Sequence, residues 1–393
     1  MTSPLRWLAT TTPGLESLLL AELDGLGVQG ERVEGGVEFG ADIDHAAAVL
    51  VGLRTAHRVT LRLAEFGAKG FAELERNAAK VDWSQVVGNG AAVHFRVTSR
   101  KSRLYHQDAI AERLERAVAA AVSPATAVRS AERAAGMEPV SRLPEVQRFV
   151  VRVHRDRFII SADASGALLH QRGWRQETAK APLRETLAAA MLFGIRWDGR
   201  VPLHDPFCGS GTILIEAAQM ARRMAPGRTR RFAMENWPMC GSTPLERARK
   251  VARSAELAAV GVAINGTDRD DGAIRAAIAN AERADVAADV SFARATVSET
   301  GRDDGVGLVI TNPPYGVRVG ERNALRDLYA VLGRTLEERR PDWGLALLSA
   351  SPMLDGQLGM ALAEVWRTTN GGIPVRLMAT GRGSSPGAER SPA

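Results

Sequence analysis

The chain has 393 residues, 45% of them apolar, which is enough for two or three domains with their own cores. Its 51 Lys and Arg against 45 Asp and Glu give a net charge of +6, which suits a polyanionic partner but does not establish one. Two cysteines exclude a disulfide framework and a four-cysteine zinc site, and the seven scattered histidines lead us to expect no metal.

The first part of the chain, up to about residue 165, mixes short helices with alternating strands and is predicted to be α+β. A strand is expected over 92–98, followed by a helix that contains Tyr105. A second strand over 148–154 turns at 155–156 into a third strand over 157–160. No apolar stretch approaches the roughly 18 residues of a spanning helix, and the N-terminus does not resemble a signal peptide. We therefore expect a soluble, cytoplasmic protein.

The remainder of the chain has the pattern of an α/β domain. A helix is predicted over 183–195, and strands and helices then alternate, which indicates a parallel sheet with helices on both faces. The strands are expected near 201–204, 262–267, 289–293, 306–311 and 343–349, and the helices from about 212, 271, 322 and 352. A two-glycine turn between 364–370 and 373–380 predicts a closing antiparallel hairpin. The tail, 381–393, is rich in Gly, Ser and Pro and is expected to be disordered.

A glycine-rich turn lies between the first of these strands and a helix. Asp205 ends the strand, where its carboxylate can receive donors such as the α-amino group of an amino-acid-like cofactor. The turn lacks the spacing of a dinucleotide site and the Gly-Lys-Ser/Thr of a nucleoside triphosphate site, so a phosphate ligand is the weaker interpretation. The residues expected to contact the cofactor in this turn are Phe207, Gly209, Ser210, Gly211 and Thr212.

Asp268 is predicted to end the second strand, the position at which a carboxylate accepts both ribose hydroxyls. Glu235 is nearer in sequence but follows no strand. Asp270 and Asp271 are expected to begin the next helix.

The fourth strand is followed by a loop that presents acceptors and few donors. Asn312 offers a side-chain carbonyl, Pro313 and Pro314 have no N–H group, and Tyr315 adds an aromatic face on which a base can stack. Taken alone, this loop is equally well an ordinary Pro-Pro turn. The glycine-rich turn and Asp268 favour the alternative, a clamp for a planar amino group.

Basic residues are concentrated in two segments. Residues 222–253 contain nine Lys and Arg and two acids, and residues 96–116 contain a second basic group. A solvated face is the ordinary explanation for one such run, but two in one basic chain indicate contact with nucleic-acid phosphates. The candidate RNA-binding residues are Arg100, Lys101, Arg103, Arg228, Arg230 and Arg231.

These motifs together resemble a class I S-adenosylmethionine-dependent methyltransferase that modifies amino groups. The segments 165–175, 181–185, 225–227 and 370–374 are similar to bacterial THUMP-domain RNA guanine-N2 methyltransferases, and 54–59, 81–83 and 102–108 resemble the N-terminal signatures of that family. The resemblance implies a ferredoxin-like subdomain over 1–60, a THUMP RNA-binding domain over 61–165 and a Rossmann-like methyltransferase domain over 166–380. It also implies S-adenosylmethionine as the cofactor, with Pro182 among its contacts, and RNA as the partner.

The sequence departs from this family at one position. Relatives often carry an acid after the third strand that contacts the adenine amino group, whereas 292–296 contains none, so Thr296 or backbone groups are expected there instead. Cys208, in the glycine-rich turn, is interpreted as a packing residue because no base lies beside it.

The resemblance implies direct methyl transfer to the exocyclic nitrogen of a guanosine in 23S rRNA or tRNA. The Asn312 side-chain carbonyl and the Pro313 carbonyl would accept hydrogen bonds from the two N–H groups of that nitrogen. No general base is needed, because the proton leaves after the nitrogen has attacked the methyl group. Three alternatives stay open: a DNA adenine-N6 or protein glutamine-N5 methyltransferase, which uses the same loop; a non-catalytic RNA-binding protein; and a nicotinamide-dependent oxidoreductase.

Overall fold

The computed structural model describes residues 4–122, 126–127, 146–176, 183–315 and 322–381. Pro182 and the expected tail after Gly381 therefore lie outside the described residues. The chain divides into two compact units. The first comprises Met1–Thr11, Leu19–Leu169 and Gly227–Val251, and the second comprises Thr12–Leu18, His170–Pro226 and Ala252–Ala393.

The first part of the chain is α+β, as predicted. Its elements are β1 (Leu5–Thr10), α1 (Glu16–Gly25), β2 (Gly30–Val33), β3 (Gly36–Ala41), α2 (Ile43–Gly52), β4 (Arg58–Gly67), α3 (Phe71–Ala78), β5 (Ala92–Arg100), α4 (Gln107–Ala121), β6 (Thr126–Ala127), β7 (Val146–His154) and β8 (Arg157–Asp163). The strands form one sheet in the order β2-β3-β1-β4-β8-β7-β5-β6. The sheet continues across the expected boundary at residues 60 and 61, so that division of the first unit stays a prediction.

Buried apolar residues alternate with more exposed residues along β5 and β7, so each strand has one buried face. Phe95 and Phe149 are buried, pair across the parallel register and stack with ring centroids 4.7 Å apart. Trp83 packs edge-on against both rings. The intervening Arg96 and Arg152 are exposed on the opposite face, which leaves that face polar.

The segment Gly227–Val251 groups with the first unit, although the sequence placed it inside the methyltransferase domain. Its Trp237 stacks on Trp7, with ring centroids 6.1 Å apart, and donates a hydrogen bond to Gln147 Oε1 at 2.7 Å. Met234, which is fully buried, donates its backbone N–H to the Ala164 carbonyl. The buried side chains of Trp237 and Met234 therefore hold this segment within the first unit.

The second part of the chain contains the predicted alternation. Its elements are α5 (Glu185–Gly194), β9 (Leu203–Asp205), α6 (Thr212–Ala221), α7 (Thr243–Ser254), β10 (Ile264–Asp268), α8 (Asp271–Arg283), β11 (Ser291–Arg294), β12 (Leu308–Thr311), α9 (Arg322–Arg339), β13 (Gly344–Ser349), α10 (Pro352–Asp355), β14 (Ala363–Asn370) and β15 (Ile373–Ala379). The helix expected from 352 is short: it ends at Asp355, a 3₁₀ segment follows over Gly356–Leu358, and Gly359 then has a left-handed φ of 69°.

The strands of the second unit form one sheet in the order β11-β10-β9-β12-β13-β15-β14. Strands β9 to β13 pair in parallel, and β15 pairs antiparallel with β13 and β14. The predicted parallel sheet and closing hairpin are thus confirmed. Alternate residues of β12 and β13 enter two different cores: Ile310 and Leu348 pack with α5, α6 and α8 residues, and Val309 and Leu347 pack with α9 residues.

This topology brings the carboxyl ends of β9, β10 and β12 to one edge of the sheet, where ligands bind in open α/β folds. Asp205, Asp268 and Asn312 lie at or directly after these ends. Among the described residues, no helix is both long and apolar enough to cross a membrane.

Candidate active site

The glycine-rich turn connects β9 to α6 through backbone conformations that favour glycine. Gly209 and Gly211 have φ angles of 51° and 81°, in the left-handed region. A Cβ atom on Gly211 would lie 3.0 Å from Phe292 Cζ. Two long-range side chains hold the turn: Asp268 Oδ2 accepts the Gly209 N–H at 3.0 Å, and Asn280 Nδ2 donates to the Ser210 carbonyl at 3.1 Å. The result is a fixed concave backbone at the N-terminus of α6.

Asp205 is buried at the start of this turn. Its Oδ1 accepts hydrogen bonds from Thr311 Oγ1 at 2.6 Å and from the Phe207 N–H at 3.0 Å. The pKa of Asp205 is raised to about 7, chiefly by burial and also by the nearby Asp268 carboxylate, whereas the two hydrogen bonds act in the opposite direction. A cationic group placed beside Asp205 therefore stabilises its charged form.

Asp268 ends β10, as predicted, and its side chain is half-buried. One carboxylate oxygen holds the Gly209 N–H, and the other accepts the Asp270 N–H at 2.9 Å. Each carboxylate oxygen has two lone pairs, so both can still accept from a hydroxyl. Asp270 caps α8 by accepting the Gly272 N–H, and Asp271 is the first residue of that helix. The assignment of Asp268 to a cofactor ribose stays a prediction.

Thr296 lies after β11 and is exposed. Its hydroxyl donates to Glu299 Oε2 at 2.9 Å, and its backbone N–H donates to the same oxygen at 2.7 Å. Residues 292–296 contain no acid, but Glu299, three residues after Thr296, places a carboxylate beside Thr296. The predicted adenine contact at Thr296 stays a prediction.

The loop after β12 presents a buried acceptor. The Asn312 Oδ1 atom is buried and accepts no hydrogen bond from the described residues. Pro313 is buried, and Pro314 is exposed. A buried amide oxygen without a donor is costly, so this atom fits a donor that arrives with a ligand.

Tyr315 follows in the same loop and is half-buried between the two cores of the second unit. Its hydroxyl accepts a hydrogen bond from Asn370 Nδ2 at 3.0 Å. Asn370 ends β14, 55 residues further along the chain. The aromatic ring is thus attached to the closing hairpin as well as to its own loop.

Arg175 was not selected from the sequence as a site residue, yet it contacts the first residue of α6, Thr212, at the end of the glycine-rich turn. It donates to Thr212 Oγ1 at 2.6 Å and to the Leu183 carbonyl at 2.7 Å, and it pairs with Glu185 at 3.2 Å. Burial raises the pKa of Glu185 to about 7. Arg175 ends the segment 165–175 that resembles the methyltransferase family, but the sequence does not indicate what its side chain contacts. Only the fold reveals that it links the segment before α5 to the start of α6.

The candidate RNA-binding residues lie in different environments. Arg100, Lys101 and Arg103 are exposed in the turn after β5, and the Arg103 N–H donates to Asp156 Oδ1 at 2.7 Å. The side chain of Arg231 is 70% exposed and pairs with Glu235, and Arg228 is half-buried.

Arg230 is the exception among these candidates, and the structure contradicts its predicted contact with RNA. Its guanidinium is buried and donates to the carbonyls of Ser165, Ala167 and Leu168 at 3.1, 2.7 and 3.0 Å. A guanidinium that satisfies three backbone acceptors inside the protein has a structural role. Arg230 is therefore removed from the predicted RNA surface.

Cys208 is buried within the core of the second unit. Burial raises the pKa of its thiol, and the carboxylates of Asp205 and Asp268 raise it further. Because the thiolate is the nucleophilic form, this environment agrees with the interpretation of Cys208 as a packing residue.

Comparison with known proteins identifies the family. The UPF0020 model, described as the RMKL-like methyltransferase domain, matches residues 172–378, and the model of the RlmL ferredoxin-like domain matches residues 6–60. A relative from Syntrophotalea carbinolica, named ribosomal RNA large subunit methyltransferase K/L, is 33% identical over 96% of this chain and 54% of its own length. The chain thus spans about half the length of the curated K/L relatives that it matches.

Two further proteins match over nearly their full length. A Synechocystis protein named as an RNA methyltransferase is 28% identical over 95% of this chain and 95% of its own. A crystallised protein named as a methyltransferase, in complex with SAH, has a TM-score of 0.85 at 27% identity and covers 97% of this chain and 98% of its own. With a family model that matches more than half of its residues, the chain belongs to the UPF0020 family of RMKL-like methyltransferases and carries an RlmL-type ferredoxin-like domain.

Proposed function

We propose that this protein transfers a methyl group from S-adenosylmethionine to the exocyclic N2 of a guanosine in 23S rRNA, or in tRNA. The observation that carries the proposal is the buried Oδ1 of Asn312 at the carboxyl edge of the sheet, to which no group in the described part of the chain donates. An exocyclic amino group supplies the donor that this oxygen lacks.

Family membership and the SAH complex of the structural relative confirm S-adenosylmethionine as the cofactor. The residues of this chain fit it. The glycine-rich turn offers a concave backbone with left-handed Gly209 and Gly211, and Asp205 offers a buried carboxylate for an α-ammonium group. Asp268 offers two oxygens that still have lone pairs for ribose hydroxyls.

The proposed chemistry depends on positioning. The bound cofactor supplies an electrophilic methyl carbon attached to a sulfonium. The lone pair of the guanine amino nitrogen is conjugated into the ring, so hydrogen bonds from this group to Asn312 Oδ1 and to the Pro313 carbonyl favour a pyramidal nitrogen whose lone pair is free to attack. The carbon–sulfur bond breaks as the carbon–nitrogen bond forms, and the nitrogen then loses a proton to solvent. Orientation and fixed dipoles supply the acceleration.

The RNA part of the proposal is supported by the first unit. The turn after β5 is braced, because the Arg155 N–H donates to the Arg100 carbonyl at 3.3 Å and Ser102 Oγ accepts the Asp156 N–H at 3.1 Å. Beyond this turn, Tyr105 is 65% exposed and its ring centroid lies 4.1 Å from that of His106. Cations on a braced turn beside an exposed aromatic pair suit a single-stranded RNA segment, whose phosphates and bases they can contact together.

The choice of ribosomal RNA is supported by the names of the K/L relatives, which this chain matches over about half of their length. The acceptor loop itself also suits adenine N6 and the glutamine amide, since all three groups are planar amino groups. A direct assay of the methylated product is therefore the test that separates guanine, adenine and glutamine as the acceptor.

The test is transfer of a tritiated methyl group from S-adenosylmethionine to RNA, DNA and protein acceptors. We expect incorporation into RNA alone, and Asn312→Ala should abolish it while calorimetric affinity for SAH stays within about twofold of the wild-type value. Asn323→Ala, the same change at an exposed position of α9, is the matched control and should retain activity. Full activity of Asn312→Ala would falsify the proposed clamp, and incorporation into DNA or protein instead would overturn the RNA substrate.

A further inference from the structure

The closing hairpin contains a residue with a direct contact to the proposed acceptor loop. Asn370 Nδ2 donates to the Tyr315 hydroxyl at 3.0 Å. Asn370 is the last residue of β14 and pairs with Ile373 across the turn. The two intervening glycines have φ angles of 59° and 86°, the left-handed pair that a tight two-residue hairpin turn requires. The turn therefore fixes the backbone at Asn370, the point from which its side chain reaches Tyr315.

The hairpin is in turn fixed to the rest of the second unit. Trp366 Nε1 donates to the Ala190 carbonyl at 3.3 Å, and Thr368 Oγ1 donates to the Pro13 carbonyl at 2.7 Å. Both side chains are buried. Strand β15 also pairs with β13, the neighbour of β12. Asn370 is thus held on a frame that is continuous with the strand preceding the acceptor loop.

Tyr315 needs such an external contact. Pro313 and Pro314, directly before it, have no N–H groups, so the loop can make few backbone hydrogen bonds of its own. The ring packs against both cores of the second unit, and the hydrogen bond from Asn370 to the hydroxyl is a further restraint on rotation about the side-chain bonds. Since the hydroxyl accepts this bond, its own proton is available to a ligand.

We propose that Asn370 is a positioning residue that fixes the plane of the Tyr315 ring for stacking of the target base. This inference rests on the proposed function, because it assigns the ring to the methyl acceptor. A neutral hydrogen bond contributes about 0.5–1.5 kcal/mol. Its loss from the transition state therefore corresponds to a decrease in kcat/KM for RNA of about 2- to 13-fold.

The experiment is a double-mutant cycle of Asn370→Ala and Tyr315→Phe, read as kcat/KM for RNA with calorimetric SAH affinity measured in parallel. We expect Asn370→Ala to lower kcat/KM about 2- to 13-fold in the wild-type background and less than about 1.5-fold in the Tyr315→Phe background, with SAH affinity unchanged in both. Asn370→Asp should recover most of the activity, because the Tyr315 hydroxyl can donate to a carboxylate of the same size. Thr369→Ala, at the exposed neighbouring position, is the control for damage to the hairpin.

Equal losses from Asn370→Ala in the two backgrounds would overturn the inference, since Asn370 would then act through the hairpin and not through Tyr315. Wild-type activity of Asn370→Ala would also overturn it. Absence of RNA methylation by the wild-type protein is a different outcome, which contradicts the proposed function and is recognised before any variant is compared.

Discussion

Replacement of Asp205 by Asn tests how the cofactor's α-amino group is recognised. Burial raises the pKa of Asp205 to about 7, so about 9% of the carboxyl groups are ionised at pH 6 and about half at pH 7. If the ionised form binds the α-ammonium group of SAH, affinity should increase about fivefold between these pH values. The α-amino group itself loses its proton near pH 8, so the comparison is made below about pH 7.5.

The assay is calorimetric titration of SAH between pH 6 and 7.5. Asp205→Asn should bind SAH more weakly at pH 7.5 and without this pH dependence, and its amide oxygen can still accept the Thr311 and Phe207 hydrogen bonds that hold the wild-type side chain. Glu185 has a similarly raised pKa, of about 7, so Glu185→Gln is the control and should keep the pH dependence. A wild-type affinity that does not change with pH, or a dependence that disappears in Glu185→Gln alone, would refute the reasoning.

The raised pKa of Asp205 also predicts how the free energy of unfolding changes with pH. Its pKa in the folded protein lies above its ordinary value of 3.8, so the folded state binds more protons than the unfolded state between these two pH values. The contribution of Asp205 to stability is therefore fully present below about pH 4 and is lost as pH rises towards 7. Denaturant unfolding of wild type and Asp205→Asn at pH 5 and 8 should show that only the wild type loses this contribution.

Three other changes have defined outcomes. Gly211→Ala, at a φ of 81°, should lower the free energy of unfolding by about 1–2 kcal/mol and weaken SAH binding, as measured by denaturant unfolding and calorimetry. Arg230→Met leaves three buried carbonyls without their donor and should lower the free energy of unfolding by several kcal/mol, whereas Arg231→Met should change it by less than about 0.5 kcal/mol. Lys101→Gln with Arg103→Gln should reduce the salt dependence of RNA affinity, with a slope of log K against log salt that is smaller by about 1.4 for single-stranded RNA; an unchanged slope would remove this turn from the RNA surface.

The sequence was sufficient to predict which strand ends meet at the site. Strands that end in Asp205, Asp268 and Thr311 alternate with helices, which predicts a parallel sheet. The strand before Asn312 is in addition a continuous apolar run, which is typical of a strand buried on both faces. The carboxyl ends of such strands share one edge of the sheet, so the carboxylates and the amide could be placed together before their geometry was known.

The contacts that hold these residues in place could not be predicted in the same way. Thr311 donates to Asp205 from 106 positions away, and Asn280 reaches the Ser210 carbonyl from 70 positions away. No local pattern distinguishes these two from any other polar residue on a strand or helix. Charge patterning failed at Arg230 for a related reason: a basic run shows that cations are present but not which one turns inward to satisfy backbone carbonyls.

The identity of the methylated atom is the most direct test of the account. The wild-type protein and Asn312→Ala would each be incubated with 23S rRNA, tRNA and S-adenosylmethionine, and the digested nucleosides separated by mass spectrometry. The account predicts N2-methylguanosine from the wild type and none from Asn312→Ala. Methylation of adenosine, or of guanosine at a position other than N2, would contradict it.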